Sequence, residues 1–326
     1  MFKSCVKKEN KHSIFLQEII IKMNIAILSR GPGLYSTQNL LRTGLSRGHH
    51  VRVLDHMRCN IVIEKDCPII YYGSEVLTNV DAIIPRIGAS VTFYGAAIVR
   101  QFELMGVHSA TSSDGLLRSR DKLRCLQLLS TAGLGMPKTV FSDYTGSAED
   151  LVRAVGGCPV VIKILSGTHG MGVVLAGTKQ AAVSMIDAFN SLKERVLVQE
   201  FIPEASGTDI RAFVVDGKVV AAMKRRAQPG EFRSNLHQGG TAIAIKLTEA
   251  EEKTALDAAR ILGLKVAGVD MLPSNRGPLI LEVNPSPGLE GITKTTGVNV
   301  AARIIESIER ELDTKKSENS EHSLFD

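Results

Sequence analysis

The sequence predicts a mixed α/β and α+β protein in which a small parallel-sheet domain precedes a larger α+β region. Two observations lead to this fold class. Strand-like and helix-like runs alternate from Met23 to about residue 112, which is the pattern of a parallel sheet with crossover helices. Beyond residue 196 strand-like runs dominate, with one long helical run among them. The length of 326 residues, 44% of them hydrophobic, allows roughly two to three domains with sizeable cores.

The opening of the chain is predicted to be a β-α-β unit. NIAILS, from Asn24, has the composition of a buried strand, RGPGLYS that of a loop, and a helix to about Arg47 precedes the strand HVRVLD. DAIIPRIG continues the pattern, and a helix follows from about Thr92 to Met105. RGPG is only a fragment of a dinucleotide-binding fingerprint, so it gives little support to a cofactor there. The predicted N-terminal domain covers residues 23–112.

The next segment, residues 113–195, is predicted to be a second α/β unit. One helix begins near Ser113, continues through Arg120 and Lys122, and stops before Pro137. The strand-like runs GGCPVVIKIL and VVLAG then flank the loop SGTHGMG. QAAVSMIDAFNSL has apolar residues at helical spacing, which predicts a helix packed on these strands.

Residues 196–312 are predicted to form a C-terminal unit made mainly of strands. Six strand-like runs lie in this region, with a helix at about 248–262 and a closing helix at about 299–312. VVDGKVV predicts a tight hairpin, because Asp-Gly between two β-branched runs favours a two-residue turn.

The two ends of the chain are predicted to lie outside the folded domains. Residues 1–22 are expected to be a flexible leader or an upstream start, because Met23 directly precedes the first strand. The polar tail, residues 313–326, is expected to be disordered.

Charge and cysteine usage favour a cytoplasmic protein without nucleic acid or membrane as a partner. The net charge is +5, but the first 22 residues contribute +3 of it, so the sequence shows no clustered basic face. The five cysteines contain no C-x-x-C pair and match neither a zinc site nor a disulfide framework, which favours a reducing cytosol. No run reaches the roughly 18 to 20 apolar residues of a membrane span.

A glycine-rich loop is the first candidate functional feature. Gly167, Gly170 and Gly172 lie between two strand-like runs, and Lys163 is on the strand that enters the loop. Glycines let backbone N–H groups approach phosphate oxygens, and a lysine adds positive charge. The loop is not a Walker loop, because it lacks G-K-[ST] and precedes a strand. On this feature alone, a phosphate site and an ordinary glycine-rich hairpin remain equally open.

Two strands carry a candidate metal site. Asp270 ends the apolar strand VAGVD, while Glu282 and Asn284 share one face of LILEVN because side chains alternate along a strand. Hairpin pairing can bring Asp270 beside them. Carboxylates in apolar strands are unfavourable unless they are paired or bind metal. Oxygen ligands without histidine or cysteine favour Mg²⁺ or Mn²⁺ over zinc.

Arginines gather near the predicted hairpin and the loop that follows it. Such groups can hold carboxylate or phosphoryl oxygens and stabilise charge during phosphoryl transfer, although a solvated charge run is the simpler alternative. We find no Ser/His/Asp or Cys/His arrangement, so a nucleophilic side chain is not expected. The cluster comprises Arg211, Arg225, Arg226 and Arg233, with Lys224 and His237 nearby.

These features, in this order, resemble the ATP-grasp superfamily over residues 113–312. The segments that carry the resemblance are Lys122, Lys163 with SGTHGMG, VQEFI, Asp209 with Arg211, and Asp270 with EVNPSPG. A closer resemblance, over nearly all of residues 23–310, is to the RimK family. These are glutamate ligases that add glutamate to the C-terminus of a small-subunit ribosomal protein. The segments that match are IPRIG, FYG, RDK, RRAQPGEFRSNLHQGG and EVNPSPGLEGITKTTG.

The resemblance implies an ATP-grasp fold, preceded by the small parallel-sheet domain, and a set of site residues. ATP would contact Lys122, Lys163, Gly167, Gly170, Gly172, Glu200, Phe201, Asp209, Arg233, Ser234 and Asn235. Two ions of Mg²⁺ or Mn²⁺ would bind Asp270, Glu282 and Asn284. Arg211 and Arg225 would bind substrate, and Arg225 and Arg233 would stabilise the reacting phosphoryl group.

The implied reaction forms an acyl phosphate on a substrate carboxylate and then couples it to the amine of L-glutamate. The implied partners are ATP, L-glutamate, a small-subunit ribosomal protein and further copies of the chain in a tetramer. One alternative is a ligase that joins glutamate or another amino acid to a small molecule or a carrier protein. Another is a non-catalytic nucleotide-binding regulatory module, against which the complete metal triad argues.

Overall fold

The computed structural model describes residues 22–143, 147–165, 172–234 and 239–322. The predicted leader, apart from Lys22, therefore lies outside the described residues, as do Gly167, Gly170 and Asn235 of the predicted nucleotide site. Within the described residues, no helix combines the length and the apolar character needed to cross a bilayer.

The N-terminal region is a β-α-β domain with a short antiparallel sheet attached. Its strands are β1 Asn24–Leu28, β2 His50–Leu54, β3 Cys59–Val62, β4 Ile69–Tyr72, β5 Glu75–Val76, β6 Ala82–Pro85 and β7 His108–Ser109. Its helices are α1 Tyr35–Ser46 and α2 Thr92–Leu104. The main sheet has the order β2-β1-β6-β7 and is parallel throughout, which confirms the predicted parallel sheet. The small sheet β3-β4-β5 was not predicted.

Residues 113–200 contain an antiparallel sheet with the order β10-β9-β11-β8, which we call the central sheet. Its strands are β8 Thr139–Ser142, β9 Val160–Ile164, β10 Val173–Ala176 and β11 Val196–Glu200. The helices of the region are α3 Ser113–Arg120, α4 Lys122–Thr131, α5 Ala148–Ala154 and α6 Lys179–Ser191.

Two predictions are wrong in this region. The single helix predicted from Ser113 is two helices, because Asp121 has extended backbone and its side chain accepts a hydrogen bond from the Arg124 backbone N–H, which caps α4. The boundary predicted between residues 195 and 196 falls too early. Strand β11 pairs with β8 and β9 inside the central sheet. A strand's sequence does not specify which neighbours it pairs with.

The C-terminal region is built on a five-stranded antiparallel sheet with the order β14-β13-β12-β15-β16, which we call the C-terminal sheet. Its strands are β12 Thr208–Val215, β13 Lys218–Arg226, β14 Thr241–Ala244, β15 Val266–Leu272 and β16 Leu279–Asn284. Its helices are α7 Glu249–Leu262, α8 Glu290–Thr296 and α9 Val300–His322.

Local chemistry explains two of these elements. The predicted hairpin is confirmed, since Asp216 and Gly217 join β12 to β13 with positive φ angles of 50° and 67°. Helix α7 begins at a capping box, in which the Thr248 hydroxyl accepts from the Glu251 N–H and the Glu251 carboxylate accepts from the Thr248 N–H. It ends at Gly263 in the left-handed conformation.

The tail prediction is wrong for residues 313–322. Helix α9 continues to His322, about ten residues past the predicted end. No glycine or proline follows Gly297, so nothing in the sequence breaks the helix, and polar composition alone does not distinguish a solvated helix from a disordered tail. Residues 323–326 lie outside the described residues.

One apolar core joins the N-terminal domain to the C-terminal sheet. Ile25 and Leu40 of the first domain pack in the same buried cluster as Phe213 of β12 and Ile304 and Ile308 of α9. The opposite face of the C-terminal sheet packs on α7 in a second cluster. Burial of each such side chain stabilises the fold by roughly 1.5–3 kcal/mol. The carboxyl edge of the parallel sheet is thereby held against the loop that follows β16.

Candidate active site

Cross-strand register gathers charged side chains on one face of the C-terminal sheet. Asp209 lies opposite Arg225, Arg211 opposite Asp270, and Asp270 opposite Glu282. Directly opposed side chains on antiparallel strands project from the same face. The sequence prediction that a hairpin places Asp270 beside Glu282 is confirmed, and Asp209, Arg211 and Arg225 lie on the same face.

A β-bulge at Leu281 sets the orientation of the last strand. Asp270 pairs with Glu282 but Met271 pairs with Ile280, so one residue of β16 is extra. Ile280 and Val283 can consequently both face the apolar cluster on α7, although strict alternation would put them on opposite faces. Glu282 and the next residue but one, Asn284, are left on the charged face.

The centre of this face is a buried network of two arginines and two aspartates. Arg225 donates two hydrogen bonds to Asp209, both 2.6 Å long, and a third of 2.9 Å to Asp270 Oδ2. Arg211 donates to both oxygens of Asp270 at 2.7 and 2.6 Å. The hydroxyl of Ser234 adds a bond of 2.6 Å to Asp209. Because Arg225 is 4% exposed and Asp209 2%, these pairs lie in a low-dielectric interior.

The network favours the charged forms of Asp270 and Arg225, whereas burial raises the pKa of Asp209 despite its bonds to Arg225 and Ser234. Burial would raise the pKa of Asp270, but the positive charges of Arg211 and Arg225 outweigh it and hold this pKa below its usual value. Burial likewise opposes the charge of Arg225, yet Asp270 and Asp209 raise its pKa above that of an ordinary arginine. Asp270 therefore stays ionised at neutral pH.

The predicted ligand set has the oxygen chemistry that suits Mg²⁺. Asp270 and Glu282 contribute carboxylates, and the Asn284 Oδ1, which accepts from the Ser286 N–H at 2.9 Å, contributes an amide oxygen. Glu282 is exposed to the cleft and makes no hydrogen bond to the residues that the structure describes. A carboxylate left open beside a buried one is consistent with cation binding.

Two lysines face Glu282 from the other side of the cleft. Lys163, on β9, donates a 2.6 Å hydrogen bond to Gln199 Oε1, and Lys122, at the start of α4, donates to the Leu165 carbonyl at 2.9 Å. Burial lowers the pKa of Lys163 to about 8, with Glu282 opposing the shift and Lys122 adding to it. Burial also lowers the pKa of Lys122, and Glu282 again opposes. Lys122 and Lys163 are therefore close enough for the charge of one to act on the other, and both feel the charge of Glu282.

The end of the glycine-rich loop requires a glycine. Gly172 has a φ of +73°, and a Cβ atom there would lie 2.9 Å from Cδ1 of Ile164. Gly172 directly precedes β10, the strand that pairs with the lysine-bearing strand β9. A cavity of about 410 Å³ is lined by Arg120, Lys122 and Leu165, among others.

Other predicted nucleotide residues lie around the same cleft with different environments. The Glu200 carboxylate accepts from the Lys138 N–H at 2.6 Å and from Arg276 at 2.5 Å, so a base contact would fall to backbone groups near Phe201. Arg233 lies outside the buried network. The Arg233 guanidinium pairs with Glu231 at 2.8 Å. This hydrogen bond raises the pKa of Arg233, and burial only partly opposes the shift.

Comparison with known families identifies the chain. A sequence model of the RimK PreATP-grasp domain matches residues 23–116, and one of the RimK-like ATP-grasp domain matches residues 119–308, more than half of the chain. The chain belongs to the RimK-like ATP-grasp family. The predicted family, fold class and ATP-grasp ligase class are confirmed, whereas the roles of individual site residues stay predictions.

Relatives of this RimK-like protein extend over almost its whole length. It is 57% identical over 295 residues to a probable alpha-L-glutamate ligase of Aliivibrio fischeri, covering 90% of this chain and 98% of that one. It is 58% identical over 294 residues to probable alpha-L-glutamate ligase 1 of Hahella chejuensis, covering 90% and 97%. The ATP-grasp ligase PsnB, solved with a phosphomimetic variant of its minimal precursor, Mg and ADP, has a TM-score of 0.68 at 18% identity, covering 89% and 98%, a likeness of fold.

Sequence reasoning missed two residues beside the candidate site, Gln199 and Arg86. Gln199, which orients Lys163 and donates to the Thr139 hydroxyl at 2.8 Å, lies in VQEFI, but only its neighbours were assigned a role. Arg86 of IPRIG donates to the Pro287 carbonyl at 2.8 Å and so links the first domain to EVNPSPG. IPRIG and EVNPSPG each carried part of the family resemblance, but the contact between them is visible only in three dimensions.

Proposed function

We propose that the protein is an ATP- and Mg²⁺-dependent ligase that joins the amine of L-glutamate to the C-terminal carboxylate of a small-subunit ribosomal protein. The observation that carries the proposal is the register that brings Asp209, Arg211, Arg225, Asp270 and Glu282 onto one face, across a cleft from two half-buried lysines. The names of the relatives support glutamate as the amino acid. The PsnB complex with Mg and ADP supports the nucleotide and the ion.

The central sheet would hold the phosphates of ATP. Lys163 and Lys122 would supply two positive charges. Burial lowers the pKa of both lysines, and phosphate oxygens bound between them would relieve the repulsion between the two ammonium groups. The turn at Gly172 lets backbone N–H groups approach the phosphates. Backbone groups after Glu200, near Phe201, would contact the edge of the adenine.

The C-terminal sheet would hold the metal. Asp270, Glu282 and Asn284 are the proposed ligands of two Mg²⁺ or Mn²⁺ ions. A bound ion would neutralise charge that develops on the transferred phosphoryl group. Arg211 and Arg225 keep Asp270 ionised and hold its carboxylate in one orientation.

The reaction then needs no nucleophilic side chain. The acceptor carboxylate attacks the γ-phosphorus of ATP, which gives an acyl phosphate and releases ADP. The amine of L-glutamate attacks the acyl carbon, a proton leaves the nitrogen, and phosphate departs as the amide bond forms. Arg225 would stabilise the charge on the phosphoryl group, and Arg233 would do so if its guanidinium exchanged Glu231 for phosphate.

Intact mass measurement tests the acceptor. The protein is incubated with ATP, Mg²⁺ and L-glutamate, with and without small-subunit ribosomal proteins, and ADP release is followed in parallel. We expect stepwise gains of glutamyl residues on one ribosomal protein, and none with the Glu282→Gln variant. ADP release without mass gain would redirect the acceptor to a small molecule or a carrier protein. Nucleotide binding without turnover under any of these conditions would favour the regulatory module.

The proposal includes a homotetramer in the cytoplasm. Its support is the family resemblance and the cytoplasmic setting of ATP and ribosomal proteins. Light scattering coupled to size-exclusion chromatography gives the mass of the particle, and a monomeric mass at working concentrations would contradict the tetramer without affecting the ligase.

A further inference from the structure

Three arginines converge at the carboxyl edge of the N-terminal parallel sheet. Arg30 follows β1, Arg86 follows β6, and Arg120 ends α3. In the order β2-β1-β6-β7, the chain leaves β1 for a neighbour on one side and leaves β6 for a neighbour on the other. The carboxyl ends of these two strands therefore flank a topological switch point, which is where open α/β sheets bind ligands.

Two of these guanidinium groups hydrogen-bond carbonyl oxygens instead of carboxylates. Arg86 Nη2 donates to the Pro287 carbonyl at 2.8 Å and to that of Ser286 at 3.4 Å. Arg120 Nη2 donates to the Ile87 carbonyl at 2.7 Å. The Nε of Arg120 is buried and has no hydrogen-bond partner among the described residues. A buried donor of this kind is unfavourable unless a ligand satisfies it.

The electrostatics point the same way. Burial, with Arg120 adding to it, lowers the pKa of Arg86 to about 10. Burial also lowers the pKa of Arg120, and the charge of Glu282 only partly opposes this. Two like charges that repel each other in a poorly solvated place form a site for an anion. By contrast, Arg211 and Arg225 already have Asp270 and Asp209 as counter-charges.

The pair also lies where an amine substrate must arrive. The Ser286 and Pro287 carbonyls that Arg86 binds come directly after the proposed metal ligand Asn284. Arg120 lines the 410 Å³ cavity that Lys122 also lines. Glu282, another proposed metal ligand, is close enough to Arg120 to act on its pKa, so a group held by the two arginines would lie beside the proposed metal site.

We propose that Arg86 and Arg120 bind a carboxylate of the amino acid that attacks the acyl phosphate. This inference rests on the proposed function and adds a recognition site for the amine substrate. L-glutamate carries two carboxylates that do not react and stay charged throughout. The acceptor carboxylate, by contrast, becomes part of an acyl phosphate, so its negative charge moves to the phosphoryl oxygens and a site fitted to the carboxylate would lose its partner during the cycle.

Steady-state kinetics of Arg120→Gln and Arg86→Gln test the assignment. We expect the KM for L-glutamate to rise about 10- to 100-fold, because a charge-assisted hydrogen bond is lost, while the KM for ATP changes less than about twofold. L-glutamine and L-isoglutamine, in which one or the other carboxylate is an amide, serve as alternative substrates. The wild-type protein should prefer L-glutamate to one of these two amides, and this preference should disappear in the variants. The amide against which the preference is lost identifies the carboxylate that the arginines bind.

Controls separate recognition from scaffolding. Arg86→Lys keeps a charge and should recover part of the glutamate affinity. Arg310→Gln, which removes an exposed ion pair with Asp216, should change neither constant. Thermal unfolding checks that each variant is folded, and Arg120→Gln carries the test if Arg86→Gln is not.

The failing outcomes are distinct. Wild-type protein without glutamate-dependent turnover would overturn the proposed function, and this inference with it. Glutamate-dependent turnover with an unchanged glutamate KM in the Arg120→Gln variant would overturn the inference alone. A rise in the KM for ATP or in the Mg²⁺ requirement, with glutamate affinity unchanged, would show that the arginines only position the loop after β16. A rise confined to the KM for the acceptor polypeptide would overturn the inference and show that Arg86 and Arg120 bind the acceptor instead.

Discussion

The two walls of the cleft hold their charges in opposite ways. On the central sheet, Lys163 donates a hydrogen bond to the side-chain amide oxygen of Gln199, which is a neutral group, and Lys122 donates to the Leu165 carbonyl. On the C-terminal sheet, Asp270 is bound by two arginines in a buried network. One wall therefore has lysine pKa values lowered by burial, and the other has an aspartate whose pKa is held down by its partners.

The difference indicates what each wall contributes to the stability of the fold. A desolvated lysine such as Lys163, hydrogen-bonded to a neutral amide, destabilises the fold and is stabilised when an anion binds to it. A buried aspartate with two arginines supports the fold and is already in its ionised form. Substitutions on the two walls should consequently separate loss of stability from loss of function.

The largest effect is expected for Asp270→Ala. Turnover should fall by at least about 100-fold through loss of the proposed metal ligand. The free energy of unfolding should also fall by about 3–5 kcal/mol, because Arg211 and Arg225 would be left buried without their shared partner. ADP release and urea denaturation measure the two quantities.

Asp257→Ala is the matched control, because it removes an aspartate whose two ion pairs are on the surface of α7. Its effect on stability should stay within about 1 kcal/mol, with turnover unchanged. Normal ADP release by Asp270→Ala would contradict the metal assignment, and unchanged stability would contradict the structural role of the network.

Glu282→Gln sharpens the contrast within one wall. Turnover should fall by a similar factor, since Glu282 is the second proposed carboxylate ligand. Stability should change by less than about 0.5 kcal/mol, because the side chain is exposed and makes no hydrogen bond to the described residues. Melting temperature and ADP release are compared with those of Asp270→Ala. Equal destabilisation by the two variants would remove the distinction between a buried and an open ligand.

Much of this arrangement could be predicted from the sequence. The hairpin at Asp216 and Gly217 has a two-residue turn signal, and the pairing of Asp270 with Glu282 follows from two apolar strands joined by a short turn. Helix α7 has its cap, its apolar spacing and its terminal glycine written locally. These features depend on neighbours within a few residues, which a sequence pattern records.

Other features depend on partners that no local pattern identifies. Strand β11 was placed with the wrong sheet, and the contact of Arg86 with Pro287 joins residues 201 positions apart. Arg211 and Arg225 were predicted to bind substrate, which stays a prediction, and their ion pairs with Asp270 and Asp209 could not be predicted from the sequence. Whether a charge meets its partner inside the protein or on a ligand is decided by packing across the whole fold.

Lys163→Met tests the opposite wall. Affinity for ADP at pH 7 should fall about tenfold through loss of a charged phosphate contact. The free energy of unfolding should rise by about 1–2 kcal/mol, because an unfavourably buried charge is removed. Titration calorimetry and urea denaturation measure these changes. An unchanged nucleotide affinity would move the phosphate site elsewhere.

The pH dependence of Lys163→Met gives a second test of the same wall. The folded wild-type protein loses the Lys163 proton near pH 8, whereas the unfolded chain keeps it to about 10.5. Wild-type stability should thus rise relative to the variant between these values, and its advantage in ADP affinity should shrink above pH 8. Parallel curves for the two proteins would contradict a lowered lysine pKa.

The smallest effect on turnover is expected for Glu309→Gln, because Glu309 joins the last helix to α1 and is not one of the proposed site residues. Glu309 on α9 bonds His49 at 2.7 Å and Arg47 at 2.8 Å, and so fastens the last helix to α1. Burial opposes its charge, but Arg47 and His49 leave its pKa below the usual 4.5. Its stabilisation is therefore complete above about pH 4.5 and is lost as the pH falls through the lowered value. The variant should lose about 1 kcal/mol at pH 7, since water still reaches part of the carboxylate, and should show a flatter acid limb in denaturation. Its turnover should match the wild-type protein. A fall in turnover like that of Glu282→Gln would mean that the charges in the cleft are no more closely tied to function than an ion pair that only joins two helices.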